Sequence, residues 1–342
     1  MSIFLGSSTG EIITPEFVSP TVKVIGNPAT PSAAADVIIA GRGDDSVAGG
    51  GGNDIAFLGA GDDTFTWNPG DGSDVVKGGQ GFDTMLFNGA NGVDTVDISA
   101  DDGRATFFRT QGTITMDLDD VERIELTALD GADEITVNDL AGTDVTEVAI
   151  DLAAALGGTA GDNQSDKVTV NGTGDDDVVL LEQSGAELKV TGLAAQVSID
   201  HFEVDSDRLV IAGGAGDDIL SAVQIPAESM KLTLDGGEGN DTLIGGAGDD
   251  VLNGGDGEDL LIGGAGDDIF LNGEIIADFV AGAGTEDRVD LRTIAGADDF
   301  GWVLDHAEDV EGSVVIDLGN GDEITLANVT VASLHADDFL LA

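Results

Sequence analysis

The chain has 342 residues, with 67 Asp and Glu against 12 Lys and Arg, and a formal net charge of −55. That balance excludes nucleic acid and anionic membrane surfaces as partners, because phosphate contact requires clustered Lys and Arg, and it makes multivalent cations the natural counterpart. Cys is absent, so disulfides and thiolate metal sites are excluded, and no apolar run reaches the 18 residues of a membrane span. Apolar residues make up 41% and recur periodically, while 52 Gly and 6 Pro stay below the roughly 25–30% of low-complexity chains. The reading is a repeat body that is folded with cations and largely disordered without them.

Residues 1–35, with Pro15, Pro20, Pro28 and Pro31, read as a leader or cap of extended strands and turns. The opening MSIFLGSSTGEIITPEF lacks a basic n-region and a long apolar core, so it does not read as a Sec-type signal. Residues 36–98 carry six related hexads, AGRGDD, GGGGND, LGAGDD, PGDGSD, GGQGFD and GANGVD. Five of them give candidate metal sites: Gly41, Gly43 and Asp45; Gly50, Gly52 and Asp54; Gly59, Gly61 and Asp63; Gly70, Gly72 and Asp74; Gly79, Gly81 and Asp83. The sixth ends on Asp94. The eighth places Val47, Ala56, Phe65, Val76, Met85 and Val96 are all apolar, and two links are longer by two residues.

Residues 99–212 keep the rhythm and lose most glycines, with echoes at Gly131/Asp133, Gly142/Asp144 and Gly174/Asp176. Alternation of β-branched residues predicts half-buried strands, hence a continuing solenoid with larger loops. Residues 213–274 open on Gly214, Gly216 and Asp218. Four gapless nonapeptides follow, GGEGNDTLI, GGAGDDVLN, GGDGEDLLI and GGAGDDIFL. They place Gly237, Gly239 and Asp241; Gly246, Gly248 and Asp250; Gly255, Gly257 and Asp259; Gly264, Gly266 and Asp268 at the second, fourth and sixth positions, with Leu243, Leu252, Leu261 and Phe270 at the eighth. Residues 275–342 read as a separate C-terminal module: two strands around Gly319-Asn320-Gly321-Asp322, an Asn-Gly hairpin signal, and a closing VASLHADDFLLA as a short helix.

Gly at the first, second and fourth places permits positive φ and close backbone approach, which frees carbonyl oxygens to face an ion. Asp at the sixth place adds a carboxylate where the chain enters a strand. Such an all-oxygen set suits Ca2+ rather than Mg2+. The three scattered His residues, His201, His306 and His335, offer no zinc spacing. Two units make one coil of eighteen residues, so Asp241 stacks on Asp259 at one edge and Asp250 on Asp268 at the other. At a strand spacing of about 4.8 Å two carboxylates repel by roughly 0.9 kcal/mol at water's dielectric and about 3.5 kcal/mol at an effective ε of 20. An intervening ion reverses that sign, so metal binding and folding are expected to be one event.

The nonapeptides resemble the repeats-in-toxin (RTX), or hemolysin-type, calcium-binding repeat. The resemblance covers residues 36–98 and 213–271. It implies an all-β parallel β-roll or β-helix solenoid binding several Ca2+ ions through turn carbonyls and the sixth-place Asp residues named above. Ala40, Leu58, Pro69 and Ala90 depart from the glycine pattern. It also implies that residues 275–342 are a capping and type I secretion module, that the secretion machinery is a partner, and that the protein is secreted, extracellular or on the cell surface.

No catalytic constellation is read from the chain. There is no H-E-x-x-H, no G-x-S-x-G of a lipase nucleophile elbow is expected, and His201 beside Asp200 reads as a loop residue. Trp67 and Trp302 read as core or cap. The expected function is a non-enzymatic calcium-binding solenoid. The alternative is a self-assembling surface-layer, matrix, adhesin or filament unit, and a remoter one is the non-catalytic part of an extracellular carbohydrate-active enzyme. Asp250→Ala is expected to be more damaging than Asp94→Ala.

Overall fold

The computed structural model describes residues 1–20, 22–25, 30–284, 287–319 and 321–342; Pro28 of the leader and Asn320 of the hairpin lie outside them. Nearly every element is a strand. The chain forms two compact units, one of residues 1–168, 186–189 and 194–202, the other of residues 169–185, 190–193 and 203–342.

In the first unit, Val37–Arg42, Ile55–Ala60 and Val75–Gln80 pair in parallel on one sheet. Ser46–Val47, Thr64–Trp67 and Thr84–Asn88 pair in parallel on the other, and Arg123–Thr127, Glu147–Asp151 and Gln196–Asp200 continue it. The chain alternates between the sheets, so each coil contributes one strand to each. Ile3–Leu5 joins the first sheet parallel to Val37–Arg42, and Lys23–Ile25 pairs with it antiparallel.

The two-residue insertions lengthen strands. Thr64–Trp67 and Thr84–Asn88 hold four and five residues where Ser46–Val47 holds two. Two is the side-chain period of a strand, so an insertion of two keeps the inward face inward and adds one more core residue. Those residues are Trp67 and Phe87, stacked with ring centroids 4.1 Å apart, and Phe107 packs on Phe87 at 4.3 Å with its ring tilted by 33°. Trp67 is thus core, and its Nε1 donates to the Gly72 carbonyl at 2.8 Å.

Residues 95–119 depart from the expected simple continuation. Thr95–Asp101, Arg104–Arg109 and Ile114–Asp119 form an antiparallel meander, set into the parallel sheet between Val75–Gln80 and Glu134–Val137.

In the second unit, Arg208–Ala215, Lys231–Glu238, Val251–Asp256, Ile269–Leu271, Arg288–Asp290 and Phe339–Leu340 stack in parallel. The opposite sheet stacks Val178–Ser184, Ile219–Ser221, Thr242–Ile244, Leu260–Ile262, Ile275–Ile276 and Asp322–Leu326. Ser313–Gly319 and Ala307–Val310 then add antiparallel, which gives the hairpin expected around position 320. The closing segment is not the expected helix. It makes two single 3-10 turns, Val331–Ser333 and Ala336–Asp338, then a strand whose Phe339 pairs with Val289. The α-helix of the described residues is Phe300–His306, capped by Asp299.

The eighth-place residues are the spine of both cores. Val47, Ala56, Phe65, Val76, Met85, Leu243, Leu252 and Leu261 are 0% exposed. Full burial of such side chains stabilises by about 1.5–3 kcal/mol each, and one per nonapeptide is a thin core.

Candidate metal centres

The Asp that closes each turn also opens the next strand, and this fixes its geometry. Its backbone N–H donates to the carboxylate of the equivalent residue one coil on. On one edge of the first unit, Asp36 donates to Asp54 Oδ1 at 2.6 Å and Asp54 to Asp74 Oδ1 at 2.8 Å. On the other, Asp45 donates to Asp63 at 2.7 Å, Asp63 to Asp83 at 2.9 Å, and Asp83 to Glu122 Oε2 at 2.6 Å. In the second unit the rows run Asp177, Asp218, Asp241, Asp259, Glu274 and, opposite, Asp250, Asp268, Asp287.

Most rungs use one carboxylate oxygen and bury the other; Asp250 and Asp287 use both, since the Oδ2 of each accepts a further N–H, from Gly246 and Val280. Asp45, Asp54, Asp63, Asp83, Asp218, Asp241 and Asp259 are at most 3% exposed, and the Oδ2 of each has no hydrogen-bond partner. A buried carboxylate oxygen without a partner carries a large desolvation penalty. Burial accordingly pushes the carboxyls of Asp45, Asp54, Asp83 and Asp268 up to about 7 and that of Asp74 to about 8, against the backbone N–H bonds that oppose the rise. Asp218, Asp250 and Asp259 rise to about 6 for the same reason; Asp63 and Asp241 are raised too. Rows of orphaned, desolvated carboxylate oxygens lacking a positive partner fit hard divalent cations such as Ca2+, which take only oxygen ligands.

The glycines serve this arrangement in two ways. The first-place Gly makes room for the Asp of its own turn: a Cβ on Gly254 would lie 2.3 Å from Asp259 Oδ2 and 2.3 Å from the Asn272 carbonyl oxygen. Second- and fourth-place Gly take left-handed φ and pack on the previous coil. A Cβ on Gly237 (φ +109) would lie 2.1 Å from the Gly214 carbonyl oxygen. The same region holds Gly41, Gly43, Gly50, Gly52, Gly59, Gly61, Gly70, Gly79, Gly81, Gly214, Gly216, Gly239, Gly255, Gly257, Gly264 and Gly266. Gly72, Gly246 and Gly248 lie outside it. Gly246 and Gly248 face Ile225 and Ala227, so Asp250 begins its row beside a non-repeat segment and does not sit between two repeat turns. Gly254→Ala should lower stability by roughly 1–3 kcal/mol through overpacking and raise the calcium concentration needed for folding; unchanged thermal and calcium midpoints would reject this packing role.

Spacing alone misses several rungs. Asp36 opens the first row, Glu122 and Glu274 end two others, Asp287 ends the fourth, and Asp177 rather than Asp176 lies in register with Asp218. Asp94 is a rung of another kind. Arg109 of the meander donates to its Oδ1 from Nη2 at 2.6 Å and from Nε at 2.9 Å, and both residues are at most 8% exposed. Here a guanidinium already supplies the positive charge.

Other candidates resolve simply. His201 pairs with Asp151 at 2.7 Å rather than with Asp200. The G-x-S-x-G spacing does occur, at Gly6–Gly10, contrary to expectation. There Ser8 is exposed on a bend between Ile3–Leu5 and Ile12–Ile13, not on a strand-to-helix turn, so it is not placed as a nucleophile elbow. Asp119, Asp120 and Asp144 bring carboxylate oxygens within 4.8 Å of one another, and Asp119 is already paired with Lys77. No helix among the described residues is long and apolar enough to cross a membrane.

The RTX calcium-binding nonapeptide repeat family matches the chain in four copies, at residues 32–65, 69–102, 210–222 and 235–270. No curated protein matches. Among solved structures, the chain is similar to the extracellular lipase LipA from Serratia marcescens, at 17% identity and a TM-score of 0.30. That match takes in 80% of this chain and 41% of the lipase. Four copies of the repeat, their apolar spine and their buried carboxylate rows make this an RTX-type calcium-binding repeat protein with a β-roll fold and multiple Ca2+ sites.

Proposed function

We propose that this protein is exported unfolded and folds outside the cell on binding Ca2+, acting as a non-enzymatic calcium-braced scaffold. The observation that carries the reading is the set of buried Oδ2 atoms at Asp45, Asp54, Asp63, Asp83, Asp218, Asp241 and Asp259, which the fold leaves for cations. In this reading each of the thirty predicted turn residues keeps the role expected of it: glycines shape the turn and bring carbonyls to the ion, and the sixth-place Asp residues bind it. Low calcium inside the cell keeps the chain extended for a type I exporter, with residues 275–342 as the exported signal and cap. Extracellular calcium modules bind at about 10⁻⁴–10⁻³ M, which matches such a switch. The test is far-UV circular dichroism through a calcium titration, with magnesium as control. A β signal that appears with calcium alone is expected; a signal already complete in chelator refutes the reading.

A second reading, self-assembly, is favoured by an apolar outer face. Ile25, Ile3, Val37 and Ile55 lie in one cross-strand row and Leu5, Ile39 and Phe57 in the next, with Ile25, Ile39, Ile55 and Phe57 at least 40% exposed. A sheet face that meets water ordinarily alternates to polar residues. Sedimentation at millimolar calcium should show a concentration-dependent dimer or larger species, reduced in Phe57→Ser. A monomer at high protein concentration sinks this second reading.

A further inference from the structure

We infer that the first unit holds a divalent-cation site outside the nonapeptide repeats, between the turn of residues 128–133 and that of residues 161–166, with Asp133 and Asp162 as its carboxylate ligands and turn carbonyls completing the shell. The inference rests on the calcium reading above and extends it to residues that match no repeat.

Asp133 is 0% exposed. Its Oδ1 accepts the Asp94 N–H at 2.6 Å, and its own N–H donates to Asp166 Oδ1 at 2.8 Å. It is therefore a rung in the same sense as Asp54 or Asp241. Its Oδ2, like theirs, is buried without a partner. Asp162 reaches the same turn, accepting the Gly131 N–H through Oδ2 at 2.6 Å, and its charge acts on Asp133. Two carboxylates thus converge on one turn. Arg109 acts on Asp133 through its charge, but its hydrogen bonds go to Asp94 Oδ1 and the Gln111 carbonyl and leave Asp133 Oδ2 without one.

The backbone agrees. In Ala128-Leu-Asp-Gly-Ala-Asp133, Gly131 sits where a fourth-place glycine sits and has φ +155, against +134 for Gly239. Leu129 sits where a second-place glycine sits and has φ +71, a left-handed conformation unfavourable for a residue with a side chain. The turn has lost its first- and second-place glycines, to Ala128 and Leu129, and kept left-handed φ at the second and fourth places. The donors are all oxygen, so the fitting ion is Ca2+ rather than Zn2+.

The test counts bound ions by native mass spectrometry at saturating calcium, for the wild type, Asp133→Asn, Asp162→Asn and, as a control inside the repeats, Asp259→Asn. Asn at 133 keeps an oxygen to accept the Asp94 N–H while removing the charge. Asp133→Asn and Asp162→Asn should each carry one ion fewer than the wild type, with the β signal retained. If Asp133→Asn does not fold, the half-buried Asp162→Asn decides alone. Loss of an ion in Asp259→Asn together with a full complement in Asp162→Asn overturns this site and leaves the calcium reading standing. A wild type that binds no calcium overturns that reading instead.

Discussion

At pH 7, removing calcium with a chelator should unfold the chain, and acidifying the calcium-free protein toward pH 4 should refold it. The cause is the sign of the carboxyl shifts. In the metal-free fold the carboxyls of Asp45, Asp54 and Asp83 are raised from 3.8 to about 7 by burial. A group whose folded pKa exceeds its unfolded value binds protons preferentially in the fold. Below the unfolded value, near 3.8, both states are protonated and the group imposes no penalty. As pH climbs from about 4 to about 7, the unfolded state ionises freely while the fold resists, and stability falls throughout that window. One rung shifted from 3.8 to about 7 disfavours the ionised fold by about 4 kcal/mol. Several such rungs together are comparable with the roughly 5–15 kcal/mol by which domains are stable at all. Calcium substitutes a fixed positive charge for the missing protons, so the pH dependence between 4 and 7 should flatten when calcium is saturating. Proton release on calcium addition at pH 4.5, where the metal-free chain is folded and its rungs hold protons, read with an indicator dye, follows from the same shifts. Circular dichroism in chelator that is identical at pH 4.5 and pH 7 would contradict this account.

What the sequence discloses follows from how local each feature is. The nonapeptides show their turn and strand within nine residues, so the eighth-place spine and the eighteen-residue coil were legible, and Asp241 does stack on Asp259 and Asp250 on Asp268. The rows themselves depend on register between distant coils. Asp133 and Asp166 keep the carboxylate but not the glycines around it, while Glu122 and Glu274 reach the same donor position from a side chain one methylene longer. In Asp175-Asp176-Asp177 three identical residues hide which is in register. The meander over residues 95–119 escaped because alternation predicts a strand and is silent on its direction. Arg109 escaped with it: its relation to Asp94 exists only because Arg104–Arg109 runs antiparallel beside Thr95–Asp101 and places Arg109 opposite Val96.

That relation reverses the expected ranking of the Asp substitutions. Asp94→Ala should be more destabilising than Asp250→Ala, and added calcium should not rescue it. Asp94 loses no ion on substitution; it leaves the Arg109 guanidinium buried, its side chain 10% exposed, with Gln111 as a carbonyl partner and its hydrogen-bonded carboxylate gone. Removing one member of a buried pair typically costs about 3–5 kcal/mol. Asp250, by contrast, is the first rung of its row, and its Oδ2 already accepts the Gly246 N–H at 2.6 Å, so its loss should be the milder. The loss of Asp241, a central rung between Asp218 and Asp259, should show as weakened calcium binding. A ligand that binds only the folded state restores stability by mass action, so raising calcium should recover much of the melting temperature of Asp241→Ala and none of that lost by Asp94→Ala. Arg109→Met with Asp94→Asn, which removes both charges and keeps the bulk, should recover most of the Asp94→Ala loss, since a buried pair replaced by neutral groups of similar volume is often close to neutral. Melting curves at two saturating calcium concentrations decide the matter. If Asp94→Ala gains stability with added calcium as steeply as Asp241→Ala, then Asp94 is an ordinary calcium rung and Arg109 is not its resident cation.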